Sequence, residues 1–134
     1  MREYFVDAWL IIAAIDREDE HHTRARRIGA VVRGARLITH DAVLTEVLAF
    51  FCEEGARPRA AAVDAVRLAQ REWIVVPVDR ELFDLGLDRY AARPDKEWSH
   101  VDCMSMVVME QRGITHVLTN DHHFAQAGFT VVNE

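Results

Sequence analysis

Short apolar runs alternate with longer segments of helical period along this chain, and that alternation is what most limits its fold. "EYFVD" (3–7) is apolar on successive residues, as a strand buried on both faces must be. "AWLIIAAID" follows without a turn and reads as a short helix. "EHHTRARRIGAVVRG" (20–34) reads as a helix that ends in glycine, with Arg24, Arg27 and Arg33 on its outer side. "RLITH" (36–40) is a second strand, after which Asp41 is placed to cap a helix over "AVLTEVLAFFCEE" that Gly55 closes. "PRAAAVDAVRLAQRE" (58–72) is a helix with proline in its first turn, "WIVVPV" (73–78) a third strand, and "RELFDLGLDRYAAR" a further helix. "SHVDCMSMVVMEQRG" (99–113) is a helix capped by Ser99 and stopped by Gly113; "THVLT" is a fourth strand and "FTVVN" a marginal fifth. This order predicts an α/β fold with a mainly parallel sheet. No repeat or proline-rich linker divides the 134 residues, so one domain over 1–134 is expected.

Composition narrows the function. Half of the residues are hydrophobic and 28% are charged, an ordinary globular balance. No stretch approaches the ~20 apolar residues of a membrane helix, and "MREYFVD" lacks a signal-peptide pattern, so a cytoplasmic protein with no membrane role is expected. Cys52 and Cys103 read as reduced core residues. The net charge of −6 argues against a generic nucleic-acid coat. Fifteen of the sixteen basic residues are arginine, with Lys96 alone as lysine. Arginine suits bidentate contacts to phosphate, although a biased genome produces the same skew.

Four acids stand in unusual places. Asp7 ends the first strand and Asp121 follows the fourth, and ligands of open parallel sheets bind at the carboxyl ends of strands. Glu46 has Ala42, Val43, Ala49 and Phe50 as its helical neighbours, so it lies on or beside an apolar stripe. Asp102 has Trp98, Ser99, Ser105 and Met106 in the same relation. Each acid has a plainer reading: Asp7 as a helix cap, Asp121 as a turn acid, Glu46 as an arginine partner, and Asp102 as half of a Ser99-x-x-Asp102 capping box. Taken together they are harder to dismiss. Four carboxylates in one place repel one another, and a divalent cation resolves that repulsion. All-oxygen ligands favour Mg²⁺ or Mn²⁺, ions that activate water and neutralise phosphodiester charge during in-line displacement.

Other chemistries are less well supported. The histidine pairs at 21–22 and 122–123 cannot share one helix face, and no H-E-x-x-H or cysteine pair at zinc spacing occurs. His22 and His123 therefore read as surface residues, with a phosphate contact open to His123. Neither GxGxxG nor GxxxxGK[ST] is present, and neither serine, Ser99 or Ser105, lies in a nucleophile elbow.

"FVDAWLIIAAI", "VLTEVL" and "WSHVDCMSMVVMEQRGITHVLTNDHHFAQAGF" resemble, in that order and spacing, the PIN-domain family, and within it the VapC-type toxins of bacterial toxin–antitoxin pairs. The resemblance implies a three-layer α/β/α sandwich and a Mg²⁺- or Mn²⁺-dependent endoribonuclease. It carries the catalytic and metal-ligating roles to Asp7, Glu46, Asp102 and Asp121, with Asp7 and Asp102 holding the principal ion. Ser99 matches a small hydroxyl residue near the site, and Asn120 adjoins the last acid. Ala8 and Trp9 depart from the pattern, because the family usually has Thr or Ser after the first Asp. An RNA substrate, with arginines such as Arg24, Arg27 and Arg33 along its backbone, a small antitoxin partner and a homodimer are further expectations; the apolar "VLAFF" (47–51) favours the dimer. The rival readings are a non-catalytic PIN-like module that binds RNA or protein, a housekeeping RNA-processing nuclease, and a phosphatase or DNA nuclease using the same ions.

Overall fold

The computed structural model of the chain describes residues 2–132. Its strands are β1 (Glu3–Val6), β2 (Arg36–His40), β3 (Ile74–Val76), β4 (His116–Leu118) and β5 (Thr130–Val131). The helices are α1 (Ala8–Ile15), α2 (His22–Val31), α3 (Asp41–Phe50), α4 (Ala56–Glu72), α5 (Arg80–Ala92), α6 (His100–Arg112) and α7 (His123–Gln126). The strands form one sheet in the order β3-β2-β1-β4-β5, and every pairing is parallel. The expected α/β fold is present, with helices packed about the sheet in three layers.

Apolar runs on β1, β2 and β4 explain why the sheet is central. Phe5, Val6, Ile38, Val117 and Leu118 are all fully buried, and burying such a side chain contributes about 1.5–3 kcal/mol. Helices α1 to α4 pack as a connected group, while α6 packs against α5 and α7. Helix α6 is apolar nearly all round, and Cys103 to Met109 are buried without a break. Two glycines set its position. Gly113 has φ 68° and closes α6 in the left-handed region. At Gly86 a Cβ would stand 2.5 Å from Met104 Cγ, so only glycine lets α5 approach α6 this closely.

Several expected boundaries move. Helix α3 begins at Asp41 itself, and its cap is His40, whose ring nitrogen accepts the Ala42 N–H. The helix stops at Phe50, and Gly55, expected to close it, is instead the residue before α4. Phe51 takes the buried place after α3, which leaves Cys52 exposed rather than in the core. Helix α2 starts at His22 because residues 16–21 turn on the side chains of Asp16 and Asp19. His22 is not a plain surface residue: its Nδ1 bonds the carbonyl of Ala13 at 2.7 Å, supplying a partner at the end of α1. Of the expected fifth strand, Asn133 lies outside the described residues.

Candidate active site

Strand β1 has β2 on one side and β4 on the other, so the sheet's crossovers diverge at its carboxyl end. Parallel sheets bind ligands at such a point. Asp7 emerges there, 9% exposed. It holds the N-cap position of α1 but makes no side-chain capping bond. Its Oδ2 instead accepts the Thr119 hydroxyl from the end of β4 at 2.7 Å. The same Thr119 oxygen accepts the Asp121 N–H at 3.1 Å, so one buried hydroxyl ties two of the acids together. Burial pushes the Asp7 carboxyl up to about 6 against the Thr119 hydrogen bond, and the nearby charges of Asp102 and Asp121 push the same way.

Asp102 fulfils both of its readings. The capping box is closed in both directions: Ser99 Oγ accepts the Asp102 N–H at 3.0 Å, and Asp102 Oδ2 accepts the Ser99 N–H at 3.1 Å. The side chain is also buried beside Asp7, with residue exposure 9%. Asp121 is likewise a turn acid and a member of the cluster, its Oδ1 accepting the His123 N–H at 3.0 Å. Glu46 stands on the exposed side of α3, next to the buried Val43 and Val47. Its carboxyl is pushed up to about 7, first by partial burial and then by Asp7 and Asp102. Because its side chain still reaches solvent, that push is screened, and its upward direction is the informative part. Asp102, Asp121 and Glu46, from distant parts of the chain, are thus each brought within electrostatic reach of Asp7.

His123 corrects the sequence reading. It is not a surface residue: its side chain is 18% exposed, and Nδ1 lies 3.1 Å from Asp102 Oδ2 and 3.0 Å from Asp121 Oδ2. The turn after β4 causes this, because the Thr119 and Asp121 side chains fold the backbone back toward α6. Asp121, His122 and His123 present ligand atoms within 4.8 Å of one another, an arrangement dismissed for a helix but allowed at a turn. His122 is largely exposed, as expected of an incidental neighbour. Asn120 accepts a hydrogen bond from Arg24, and Arg24 is half-buried against Trp9 rather than outside. Thr119 and His123 escaped notice as site residues; the signal for Thr119 was its place two residues before Asp121.

The fold and the cluster define a class. A profile of the PIN domain matches residues 4–130, and the chain belongs to that family. It is similar to the 23S rRNA-specific endonuclease VapC20 of Mycobacterium tuberculosis, with 29% identity over 131 residues and 96% of each chain covered. The crystal structure of M. tuberculosis VapC20, described as a sarcin–ricin loop cleaving toxin, superposes with a TM-score of 0.87 at 26% identity, covering 98% of this chain and 99% of that one. FitAcB from Neisseria gonorrhoeae shares the fold at a TM-score of 0.71 and 14% identity, covering 97% of this chain and 96% of that one.

Proposed function

We propose that the chain is an endoribonuclease, the toxin of a toxin–antitoxin pair, which hydrolyses RNA phosphodiester bonds at Asp7, Glu46, Asp102 and Asp121 with Mg²⁺ or Mn²⁺. The observation that carries this reading is the carboxylate cluster at the end of β1, where burial and neighbouring acids push Asp7 to about 6 and Glu46 to about 7. Its oxygen donors suit a hard divalent cation. Asp7 and Asp102 are the principal ligands in this reading, completed by Asp121 and Glu46. When bound, the ion supplies water activation and neutralisation of phosphate charge.

The chain's own residues prepare that chemistry. The Thr119 hydroxyl orients Asp7, and the Ser99 N–H occupies Asp102 Oδ2, leaving Asp102 Oδ1 for a ligand. His123 holds Asp102 and Asp121 in register. Protons held by Asp7 and Glu46 at mildly acidic pH must leave when the cation enters, so cation binding near pH 6 should release protons.

The likeness to VapC20 supports a structured ribosomal RNA loop as substrate. The partner is a small antitoxin, as in the VapBC complex of Salmonella typhimurium, which shares the fold at a TM-score of 0.67. An apolar groove of about 680 Å³ between α1, α2 and α4, lined by Leu10, Ile11, Ala14 and Leu68, is suited to such a partner's helix. Leu48 and Phe50, 39% and 49% exposed on α3, favour a homodimer, which sedimentation at micromolar concentration tests. No helix among the described residues is long and apolar enough to cross a membrane, in keeping with a cytoplasmic site of action.

Incubation of the purified protein with a sarcin–ricin loop RNA, an unstructured RNA and a DNA of matched sequence, in Mn²⁺ or EDTA, tests the reading. RNA cleavage in Mn²⁺ alone is expected. Equal cleavage in EDTA would remove the metal mechanism, and cleavage of DNA alone would remove the substrate class.

A further inference from the structure

Resting on the nuclease reading, we propose that Arg24, backed by Trp9 and Asn120, forms a phosphate-binding subsite for the RNA strand beside the carboxylate cluster. Two features of the chain put this group at the rim of the site. Trp9 lies two residues after Asp7, and Asn120 immediately precedes Asp121. Arg24 reaches across from α2 to join them: its Cζ stands 4.8 Å from the centre of the Trp9 ring, and its Nη2 donates to Asn120 Oδ1. His21 also packs T-shaped on the indole, with ring centres 5.8 Å apart.

What is unusual is the chemistry of Arg24's partners. A half-buried cation ordinarily pairs with a carboxylate. Arg24 makes no ion pair among the described residues, although its partner Asn120 adjoins Asp121 in the chain; its contacts are an aromatic face and a neutral amide. Its Nε is buried without an acceptor, and so is Trp9 Nε1. The free chain therefore holds a positive charge and two unsatisfied donors beside an acidic site. An anion satisfies such donors, and the anion an RNA strand brings is phosphate. Both nitrogens are closed to solvent in the free chain, so contact with a phosphate oxygen requires the guanidinium to turn out from the ring. A strand whose scissile phosphate meets the acids carries a neighbouring phosphate toward this rim. The cluster gives one of the two departing positions a role: Trp9, next to Ala8, is the indole that shelves the arginine.

The test uses the full chain, a fluorescein-labelled single-stranded RNA of about 20 nucleotides, and the variants Arg24→Ala, Arg24→Lys and Trp9→Phe. Arg67→Ala, at an exposed arginine of α4, controls for net charge. RNA affinity is read by anisotropy in EDTA, and cleavage by KM and kcat in Mn²⁺. Arg24→Ala should raise KM and weaken binding about 10-fold or more, with a smaller change in kcat. The salt slope of binding should fall by about 0.7, one phosphate contact on a single strand. Arg24→Lys should recover part of the loss, because it keeps the charge without the planar fork. Trp9→Phe, which keeps a ring but no N–H, should lie between lysine and wild type. Unchanged affinity and salt slope in both Arg24 variants, or an equal effect from Arg67→Ala, would overturn the subsite. Wild-type protein that binds RNA through Arg24 yet never cleaves it would end the nuclease reading and leave the subsite standing. Protein that neither binds nor cleaves RNA would end both.

Discussion

Two buried polar groups sit at the carboxyl ends of neighbouring strands, and they are built on opposite principles. At the end of β2, His40 is fully buried, and all its polar atoms are matched. Nδ1 accepts the Ala42 N–H, Nε2 meets Ser105 Oγ at 2.9 Å, and the Ser105 hydroxyl donates to the Val101 carbonyl at 2.9 Å. Burial lowers the His40 pKa to about 4, with His100 adding to the effect, so the ring is neutral near pH 7. At the end of β1, Asp7 is almost as buried, but its neighbours include Asp102, Asp121 and Glu46. One group is satisfied and the other is left in conflict. Satisfied networks hold a fold together; groups held in conflict mark a place that gains from a ligand.

The largest expected effect breaks this contrast at the level of activity. Asp7→Asn should lower RNA cleavage by about 10³-fold or more, since it removes a ligand of the proposed ion. Ser105→Ala should leave cleavage per folded molecule within about threefold, because the Ser105 hydroxyl bonds His40 and the Val101 carbonyl rather than an acid. Single-turnover assays on both variants check it. Comparable losses would mean that the two networks are one site.

The next effect concerns pH in chelator. For Asp7 the folded pKa is raised, so folded protein holds an extra proton between about 4 and 6, and stability rises as pH falls through that window. His40 has the opposite sign. Its folded pKa is lowered, so stability present above about 6.5 is lost as pH falls toward 4. Each effect is on the order of 3 kcal/mol, and the two oppose one another. Glu46, also raised, acts in the same direction as Asp7 with a screened weight. Metal-free wild type should therefore hold or gain stability as pH falls from 6.5 to 4, whereas over the same range Asp7→Asn should fall behind wild type by about 3 kcal/mol. Urea titrations at stepped pH measure this. A variant that keeps pace with wild type would show that Asp7 is not held in conflict.

A smaller effect isolates the satisfied network. Ser105→Ala strips the acceptor from the buried His40 Nε2 and should cost about 1–3 kcal/mol. The loss should be the same with and without Mn²⁺. A metal-dependent loss would place this network in the site after all.

The contrast also explains what could be read from the sequence. Asp7 and Asp121 were legible because strand ends can be counted from apolar runs, and Asp102 because capping boxes and helix faces follow fixed spacings. Each of those inferences uses residues near in sequence. His40 and Ser105 are 65 residues apart, and their bond depends on how α6 lies against β2. A signal existed, since a lone serine in "CMSMVVM" must find a partner when that whole run is buried. His123 was misjudged because its contacts follow from a turn, where neither helical nor strand period applies. Cys52 failed for a simpler reason: of two adjacent apolar candidates, the helix end could bury only Phe51.

The smallest effect separates the two duties of Asp102. Its Oδ2 accepts the Ser99 N–H in the capping box, while its charge adds to the conflict at Asp7. Asp102→Asn keeps an oxygen to accept that N–H and drops the charge, so in EDTA it should melt at or slightly above wild type. Asp102→Ala drops both and should melt lower than Asp102→Asn, by about 1 kcal/mol, the worth of a lost cap. The difference between the two variants is the cap, and the difference between Asp102→Asn and wild type is the charge. Saturating Mn²⁺ should then reverse the order: at a hundredfold excess over Kd, wild type gains about 2.7 kcal/mol that neither variant shares. Differential scanning fluorimetry with and without Mn²⁺ resolves all three proteins. If wild type gains nothing from Mn²⁺ and both variants are less stable by the same margin, Asp102 caps α6 and does no more.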